Sequence, residues 1–423
     1  MPQYLAPGVY VEEVSSGIKP IAGVGTSTAG FIGVVSDATL TPLRPGRDPY
    51  RPASTESADE TTEPPDETTE PPEPPEPAPT RELKTRETDP DDFYPLALAG
   101  QRVLITSWES FKNNFGDIED GNRLLAHAVY GFFNNGGTRC WIVRYTDATT
   151  STNVAERLAT LSPVDEIALV AIPGATDAAV QNAILDHCEN AQDRFAILDG
   201  VQTTTLTKVA IQGDTRDSSY GAIYYPWIDV GDPKQPYIPP TGHIAGVYAR
   251  VDAERGVHKA PANEVIRGAL DVENLLSRAD QDGLNPDDIN VIRKFDGNVT
   301  IWGAHTLAGK EDAEWRYINV RRLFNYLRES IDEGIGWAVF EPNAPDLWSK
   351  IRRNVGAFLT LTWASGALFG ATPEQAFYVR CDESTNPSEV RDQGQVVTEI
   401  GVAVVKPAEF VIFRISQWAG VVA

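Results

Sequence analysis

Two glycine-rich segments of the sequence could cradle a phosphate, but neither has the required spacing. In Gly303–Lys310 five residues separate the two glycines, and Glu311 follows the lysine. A phosphate-binding loop has the pattern G-x-x-x-x-G-K-[ST], in which the Ser or Thr hydroxyl holds magnesium. The other segment, Gly23–Gly30, precedes the first clear strand, whereas the dinucleotide fingerprint follows one. We therefore predict ordinary turns at both positions.

The histidines form no pattern that is typical of a catalytic or metal site. The five are His127, His187, His243, His258 and His305. None belongs to an HExxH motif or lies near a pair of cysteines, and the sequence has no GxSxG nucleophile elbow. The many acidic side chains could supply a general acid and base, but the sequence gives no geometry for such a pair. We therefore predict no catalytic residue, no cofactor and no metal ion.

The composition argues against several classes of partner. The chain has 423 residues and a formal net charge of −24, whereas binding to nucleic acid requires clustered Lys and Arg. No apolar run approaches the roughly 20 residues that span a bilayer, so we expect no membrane insertion. The start lacks the pattern of a secretory signal. The three cysteines, Cys140, Cys188 and Cys381, are far apart, which is typical of reduced thiols in a protein made in the cytosol.

An acidic, proline-rich segment interrupts the chain near its start. From Pro52 to Asp92 there are 14 acidic residues, 3 basic residues and 10 prolines. Such a segment buries too little apolar surface to offset the entropy cost of ordering it. We therefore predict a disordered, extended surface insertion over residues 44–92. It is either a tolerated solvated insertion, which we favour, or a docking or spacing element.

Hydrophobic periodicity elsewhere predicts alternating strands and helices. Predicted strands cover residues 29–35, 102–105, 140–144, 167–172, 195–198, 290–292, 299–302, 395–405 and 409–415, the last two joined by a turn at Lys406 and Pro407. Predicted helices cover residues 122–135, 177–190, 242–255, 314–332 and 344–369, and a further helix starts near Thr106, whose spacing to Glu109 fits a capping box. The predicted fold class is therefore α/β (mixed α+β), with strands and helices alternating along the chain and a mixed sheet flanked by helices.

Five blocks of sequence carry a resemblance to a known family. They are Tyr4–Glu13, Gly242–Asn263, Asp296–Leu307, Trp315–Leu323, and Phe340–Asn343 together with the C-terminal strands. In this order they resemble the contractile tail-sheath proteins of phages and of phage-tail-like injection systems. The resemblance is nearly continuous from about Gly242 and weak between about Pro42 and Asp232.

The resemblance implies a structural protein and no enzymatic activity. Sheath subunits assemble helically around an inner tube, and the sheath contracts to drive that tube through a target envelope. The implied partners are further copies of the chain, the inner tube protein, and baseplate and terminal cap proteins. Assembly would take place in the bacterial cytoplasm, in a particle that is either a phage virion or an injection system, and we favour the latter. The alternatives are an α/β hydrolase-type enzyme and a non-contractile structural coat protein.

The resemblance also implies domains and contact residues. The expected division is an N-terminal arm and tether (1–27), a variable outer region (28–43 and 93–235) around the acidic insertion, a core domain (236–394) and a C-terminal strand arm (395–423). Strands exchanged between subunits would use Val9, Tyr10, Val11, Glu12, Val397, Ile400, Val402, Val404, Phe410 and Ile412. A contact with the tube would use some of Arg321, Arg322, Arg328, Arg352 and Arg353; the alternative is that these arginines form a solvated polar face. Gly17, Gly23 and Gly25 are expected to make the tether flexible.

Overall fold

A computed structural model describes residues 20–45, 92–146, 153–410 and 412 of the chain. The predicted N-terminal arm, with Val9, Tyr10, Val11 and Glu12, lies outside these residues, as does nearly all of the predicted acidic insertion. The predicted fold class is confirmed, because the described chain is a mixed α+β structure built on one large mixed sheet.

Nine strands form this large sheet, and four more form two small ribbons. In chain order the strands are β1 (Ala29–Val34), β2 (Arg102–Ile105), β3 (Cys140–Tyr145), β4 (Leu169–Ala171), β5 (Phe195–Asp199), β6 (Gly221–Tyr225), β7 (Ile228–Asp229), β8 (Glu264–Val265), β9 (Asp271–Val272), β10 (Ile289–Phe295), β11 (Asn298–Ile301), β12 (Phe377–Arg380) and β13 (Glu399–Val402). The order in the large sheet is β2-β3-β1-β4-β5-β6-β10-β11-β8. Strands β3 to β10 in this order are parallel, whereas β2, β11 and β8 add antiparallel edges. The ribbons pair β7 with β9 and β12 with β13.

Helices cover both faces of the sheet and build a separate C-terminal core. They are α1 (Trp108–Phe115), α2 (Arg123–Asn135), α3 (Val154–Ala159), α4 (Ala178–Ala191), α5 (Lys208–Gln212), α6 (Thr241–Arg255), α7 (Arg278–Leu284), α8 (Ile318–Ile335), α9 (Pro345–Ala364), α10 (Pro373–Ala376) and α11 (Ser388–Asp392). Helices α2 and α6 cover one face, and α3 and α4 cover the other. This division follows from the strands, whose successive side chains point to opposite faces: Phe31 belongs to the first core and Ile32 to the second. The third core joins α8, α9 and the β12–β13 ribbon.

Local sequence explains where several helices begin and end. Gly136 ends α2 in a left-handed conformation, with its amide bonded to the carbonyls of Phe132 and Phe133, as its position predicts. The first helix begins one residue later than predicted, because Ser107 and not Thr106 caps it by accepting a hydrogen bond from the Ser110 amide. Helix α6 has Pro240 at its cap position, which offers no side-chain acceptor. The carboxylate of Asp199 at the end of β5 accepts from the amide and hydroxyl of Thr241 instead.

Glycines allow α6 to lie close against α2. A Cβ atom on Gly242 would stand 2.3 Å from the Cα of Ala128, and one on Gly246 would stand 2.4 Å from the carbonyl oxygen of Phe132. Both neighbours are backbone, which cannot move aside as a flexible side chain can. The block at Gly242–Asn263 therefore contains the glycines that permit this helix contact, and the contact joins the predicted core domain to the predicted outer region.

Replacing Gly246 by Ala is expected to lower the free energy of unfolding by about 1–3 kcal/mol, because the added methyl group overpacks the helix contact. The matched control is Gly356→Ala in α9, where an added Cβ would meet nothing within 4 Å. There the change should stabilise by about 0.5–1 kcal/mol, the usual gain of Ala over Gly inside a helix. Urea denaturation of both variants measures the difference, and equal stability of the two would contradict this account of the packing.

Candidate assembly site

Two segments of the described chain lead towards the predicted arms, and both lie on helix α8. We call residues 20–28 the N-terminal root and residues 403–410 the C-terminal root. The first packs along the middle and end of α8, and the second crosses its beginning. One helix therefore anchors both the N-terminal and the C-terminal root.

The N-terminal root is docked on α8 by close backbone contacts. Ile21 is buried in the third core, and a Cβ on Gly334 would stand 2.6 Å from its Cγ1 atom. A Cβ on Gly23 would stand 2.2 Å from the Tyr326 hydroxyl. The amide of Val24 donates to the Ser330 hydroxyl at 3.1 Å. At Gly23 the missing side chain allows the chain to approach α8 closely. A flexible tether at Gly17, Gly23 and Gly25 stays a prediction, and Gly17 lies outside the described residues.

A buried ion pair holds the same root at Thr26. Arg322 of α8 makes a bidentate pair with Asp252 of α6, with N–O distances of 2.9 and 2.6 Å. Arg322 also donates to the carbonyl oxygen of Thr26 at 2.9 Å, while the Thr26 hydroxyl donates to Asp252 at 2.6 Å. Burial disfavours the charged guanidinium, but the carboxylate of Asp252 outweighs this and raises the pKa of Arg322. The network connects the N-terminal root to two helices.

Main-chain hydrogen bonds hold the first half of the C-terminal root. The amide of Ala403 donates to Ala376 at 2.8 Å, and its carbonyl oxygen accepts from the Phe369 amide at 2.7 Å. The side-chain amide of Asn319, near the start of α8, donates to the carbonyl oxygen of Val405 at 3.1 Å.

Glu409 fixes the far end of the C-terminal root. Its carboxylate accepts from the Asn285 side-chain amide at 2.6 Å and the Tyr317 hydroxyl at 3.0 Å, and it lies 3.2 Å from His305 Nε2. The hydrogen bond from His305 is the main reason that the pKa of Glu409 falls to about 2. The segment Gly303–Lys310, rejected above as a phosphate loop, thus presents His305 to this root.

The C-terminal strands differ from the prediction. The sequence predicts a hairpin of 395–405 with 409–415, but β13 pairs antiparallel with β12, more than twenty residues upstream, with Val402 opposite Phe377. Glu409, Phe410 and Ile412 are not in a strand, and the remaining residues of the second predicted strand lie outside the described ranges. Ile400, Val402 and Val404 pack against the third core. This tertiary packing decides the pairing of β13 and overrides the local turn signal at Lys406 and Pro407.

The ribbon and the residues beyond it expose groups that could pair with another chain. Among the described residues the β12–β13 ribbon has two strands, so each has one edge without a strand partner. Val397 lies outside the ribbon and bonds Asn386 through both its amide and its carbonyl oxygen. Phe410 and Ile412 are 76% and 77% exposed.

The arginines proposed for tube contact are not alike. Arg322 is buried as described, and Arg321 stacks between Trp315 and Tyr220, at 3.6 and 4.3 Å from their ring centroids. The expectation that both side chains face solvent or a partner is wrong, because α8 lies inside the fold on this side. The other three are less buried: Arg328 bonds the Gln192 side chain, Arg352 bonds the Cys381 carbonyl oxygen, and Arg353 is exposed. For these three the tube contact stays a prediction.

Family models match most of the chain outside the acidic segment. Residues 147–307 match the central domain of phage tail sheath proteins, and residues 310–417 match the C-terminal domain of the same proteins. Together the two models cover more than half of the sequence. This chain belongs to the phage tail sheath family. Within the described residues of this sheath protein, no helix is long and apolar enough to cross a bilayer.

Two curated relatives differ greatly in length. The tail sheath protein of Vibrio phage KVP40 is 28% identical over 225 residues, which cover 52% of this chain and 30% of the relative. A prophage major tail sheath protein of Pseudomonas aeruginosa is 26% identical over 305 residues, covering 69% of this chain and 74% of the relative. The sheath protein here thus spans less than a third of the Vibrio phage relative that it matches.

Solved structures of similar length match from end to end. The helical sheath of the anti-feeding prophage in its contracted state has a TM-score of 0.71 and 29% identity, covering 98% of this chain and 99% of that one. The contracted PVC sheath of an extracellular contractile injection system has a TM-score of 0.71 and 27% identity, covering 99% of both chains. The fold of this sheath protein is therefore that of these sheath subunits.

Proposed function

We propose that this protein polymerises helically into a contractile sheath around an inner tube, and that contraction drives the tube through a target envelope. The observation that carries the proposal is the end-to-end similarity to the contracted sheaths of the anti-feeding prophage and the PVC particle. The work comes from a conformational change of the polymer and needs no catalytic group. A head-to-tail contact that does not close into a ring gives such a helical polymer.

Strand exchange connects the subunits in this proposal. The N-terminal arm, with Val9, Tyr10, Val11 and Glu12, adds to the β12–β13 ribbon of a neighbouring subunit by main-chain hydrogen bonds. The C-terminal segment beyond Glu409, which carries Phe410 and Ile412, contributes a further strand. Two observations support this arrangement: the ribbon has edges without partners in the described chain, and both roots are fixed on α8. A two-stranded ribbon is marginal alone and gains stability from added strands.

The proposed partners are further copies of the chain, the inner tube protein, and baseplate and cap proteins. Arg328, Arg352 and Arg353 are the proposed tube contacts. Assembly takes place in the bacterial cytoplasm. The similarity to the sheath of an extracellular contractile injection system and to that of the anti-feeding prophage favours an injection system. Genes for a capsid and terminase beside the gene of this protein would instead indicate a phage.

Electron microscopy of the purified protein tests the proposal. A sheath subunit should form hollow helical sleeves, and particles purified with the tube should show two helical geometries, extended and contracted. Sleeves with one geometry under all conditions would support the non-contractile coat. A monomer or closed oligomer with no sleeves would contradict both structural functions and favour the enzyme.

A further inference from the structure

The C-terminal root ends on a buried cluster of charged and polar groups that the proposed function does not explain. His305 is 2% exposed and lies between two carboxylates. Its Nε2 atom is 3.2 Å from Glu409, and its Nδ1 atom is 3.2 Å from both a side-chain oxygen of Asp288 and the carbonyl oxygen of Asn285. Both ring nitrogens therefore face acceptors, which only the doubly protonated imidazolium can satisfy by donating from each.

The cluster draws its residues from four separate parts of the chain. Asp288 precedes β10, His305 follows β11, and Arg316 and Tyr317 precede α8, so all four belong to the folded body. Glu409 alone belongs to the C-terminal root. Arg316 lies 3.5 Å from Asp288 and opposes the charge on the imidazolium, while the neighbouring Lys310 is paired with Asp287 at 2.8 Å. Removing Glu409 would leave His305 with a single carboxylate.

Within the described C-terminal root, Glu409 is also the last residue whose side chain forms hydrogen bonds with the body. Phe410 and Ile412, directly after it, are exposed. We propose that the contact of Glu409 with His305, Tyr317 and Asn285 is a latch that fixes where the C-terminal arm leaves the body, and thereby aims the arm at the neighbouring subunit. The aiming of the arm rests on the proposed function, whereas the contact of Glu409 with His305, Tyr317 and Asn285 does not depend on it.

The latch has a definite pH window. The carboxylates of Asp288 and Glu409 outweigh burial and raise the pKa of His305 from 6.5 to about 9. A raised pKa means that the imidazolium contributes fully below pH 6.5 and that the contribution is lost as the pH rises through about 9. The pKa of Glu409 is lowered from 4.5 to about 2, so its contribution is present above pH 4.5 and lost as the pH falls through about 2. The latch therefore contributes its full stability between pH 4.5 and 6.5, while in the folded protein both charges persist up to about pH 9 on the alkaline side and down to about pH 2 on the acid side.

The first test measures the latch without assembly. Histidine-selective ¹³C NMR of the full chain, in solution or by magic-angle spinning of polymers, should show one histidine titrating near pH 9, and this signal should disappear in His305→Gln. In Glu409→Gln the pKa of that histidine should fall towards its ordinary value. The control Glu166→Gln removes a carboxylate that accepts from Trp141 at 2.6 Å, far from the root in sequence and contacts, and should leave the signal unchanged. The latch would be overturned if His305 had an ordinary pKa in the unmodified protein. It would also be overturned if the pKa of His305 were the same in Glu409→Gln as in the unmodified protein.

The second test measures the consequence for the arm. At pH 7, Glu409→Gln and Tyr317→Phe should both increase hydrogen exchange in the peptide that covers residues 403–412, and Glu166→Gln should not. Because a fixed arm pays less ordering entropy on binding, sleeve formation should slow on the order of tenfold in Glu409→Gln. Sleeves forming at the unmodified rate while the root exchanges faster would overturn the aiming role. If the unmodified protein formed no sleeves while His305 titrated near pH 9, the proposed function would fail and the latch would stand.

Discussion

Deleting residues 1–19 is expected to abolish sleeve formation while leaving a folded, soluble subunit. The deletion removes Val9, Tyr10, Val11 and Glu12, which the proposed function places in a neighbour's ribbon. It spares Ile21, Val24 and Thr26, which contact α8 and α6. A cut before residue 20 therefore keeps all the described contacts of the N-terminal root. Sedimentation and negative-stain imaging measure assembly, and circular dichroism measures the fold.

A longer deletion serves as the control for this boundary. Removing residues 1–27 also takes away the side chain of Ile21 from the third core, the carbonyl oxygen of Thr26 from Arg322 and the Thr26 hydroxyl from Asp252. That variant should lose thermal stability as well as assembly, because a buried apolar side chain alone is worth about 1.5–3 kcal/mol. Normal sleeves from the shorter deletion would refute exchange of the N-terminal strand. Equal stability of both variants would refute the docking of the root.

Many helices and strands of the large-sheet region could be predicted, because the sequence patterns that indicate them lie within each element. The apolar face of α2 and the glycine that ends it follow from spacing within one helix, and β2 and α6 match their predicted bounds to within a residue. Strand β6 escaped prediction although all of its residues are buried. Its apolar run Ala222–Tyr225, bounded by Gly221 and Pro226, is compatible with a short buried strand, but periodicity alone cannot distinguish such a run from a buried helix segment. Its place between β5 and β10 in the sheet decides the question.

The assembly site was less predictable, since its contacts join residues far apart in sequence. Lys406 and Pro407 look like the turn of a hairpin, yet β13 pairs with β12 because both strands cover the third core. A glycine at position 23 is compatible with a flexible tether and equally with a close approach of the backbone to Tyr326, and the sequence alone does not distinguish the two. Charge gave no better guidance, because an arginine in an amphipathic helix is usually assigned to the solvated face, whereas Arg321 and Arg322 are both buried. A buried partner such as Asp252, seventy residues away, leaves no local signal.

Arg322→Met is expected to lower the free energy of unfolding by about 3–5 kcal/mol, the cost of leaving a buried carboxylate without its cation. Asp252 would keep only the Thr26 hydroxyl as a donor among these contacts. Because the side chains of Arg322 and Asp252 are 3% and 5% exposed, water cannot replace the guanidinium without opening the fold. The N-terminal root should loosen as well, since Arg322 also holds the Thr26 carbonyl oxygen.

Two further variants separate the charge from the packing. Arg353→Met in α9 makes the same substitution at an exposed position and should change stability by less than about 0.5 kcal/mol. Combining Arg322→Met with Asp252→Asn removes both charges together, so part of the lost stability should return. Urea denaturation measures these variants together with Asp252→Asn alone, which completes the double-mutant cycle, and protease cleavage within residues 20–28 reports on the root. If the double variant were as unstable as the sum of its single changes, the ion pair would not be what holds the root to α8, and the loss would belong to packing of the arginine side chain on Tyr248 instead.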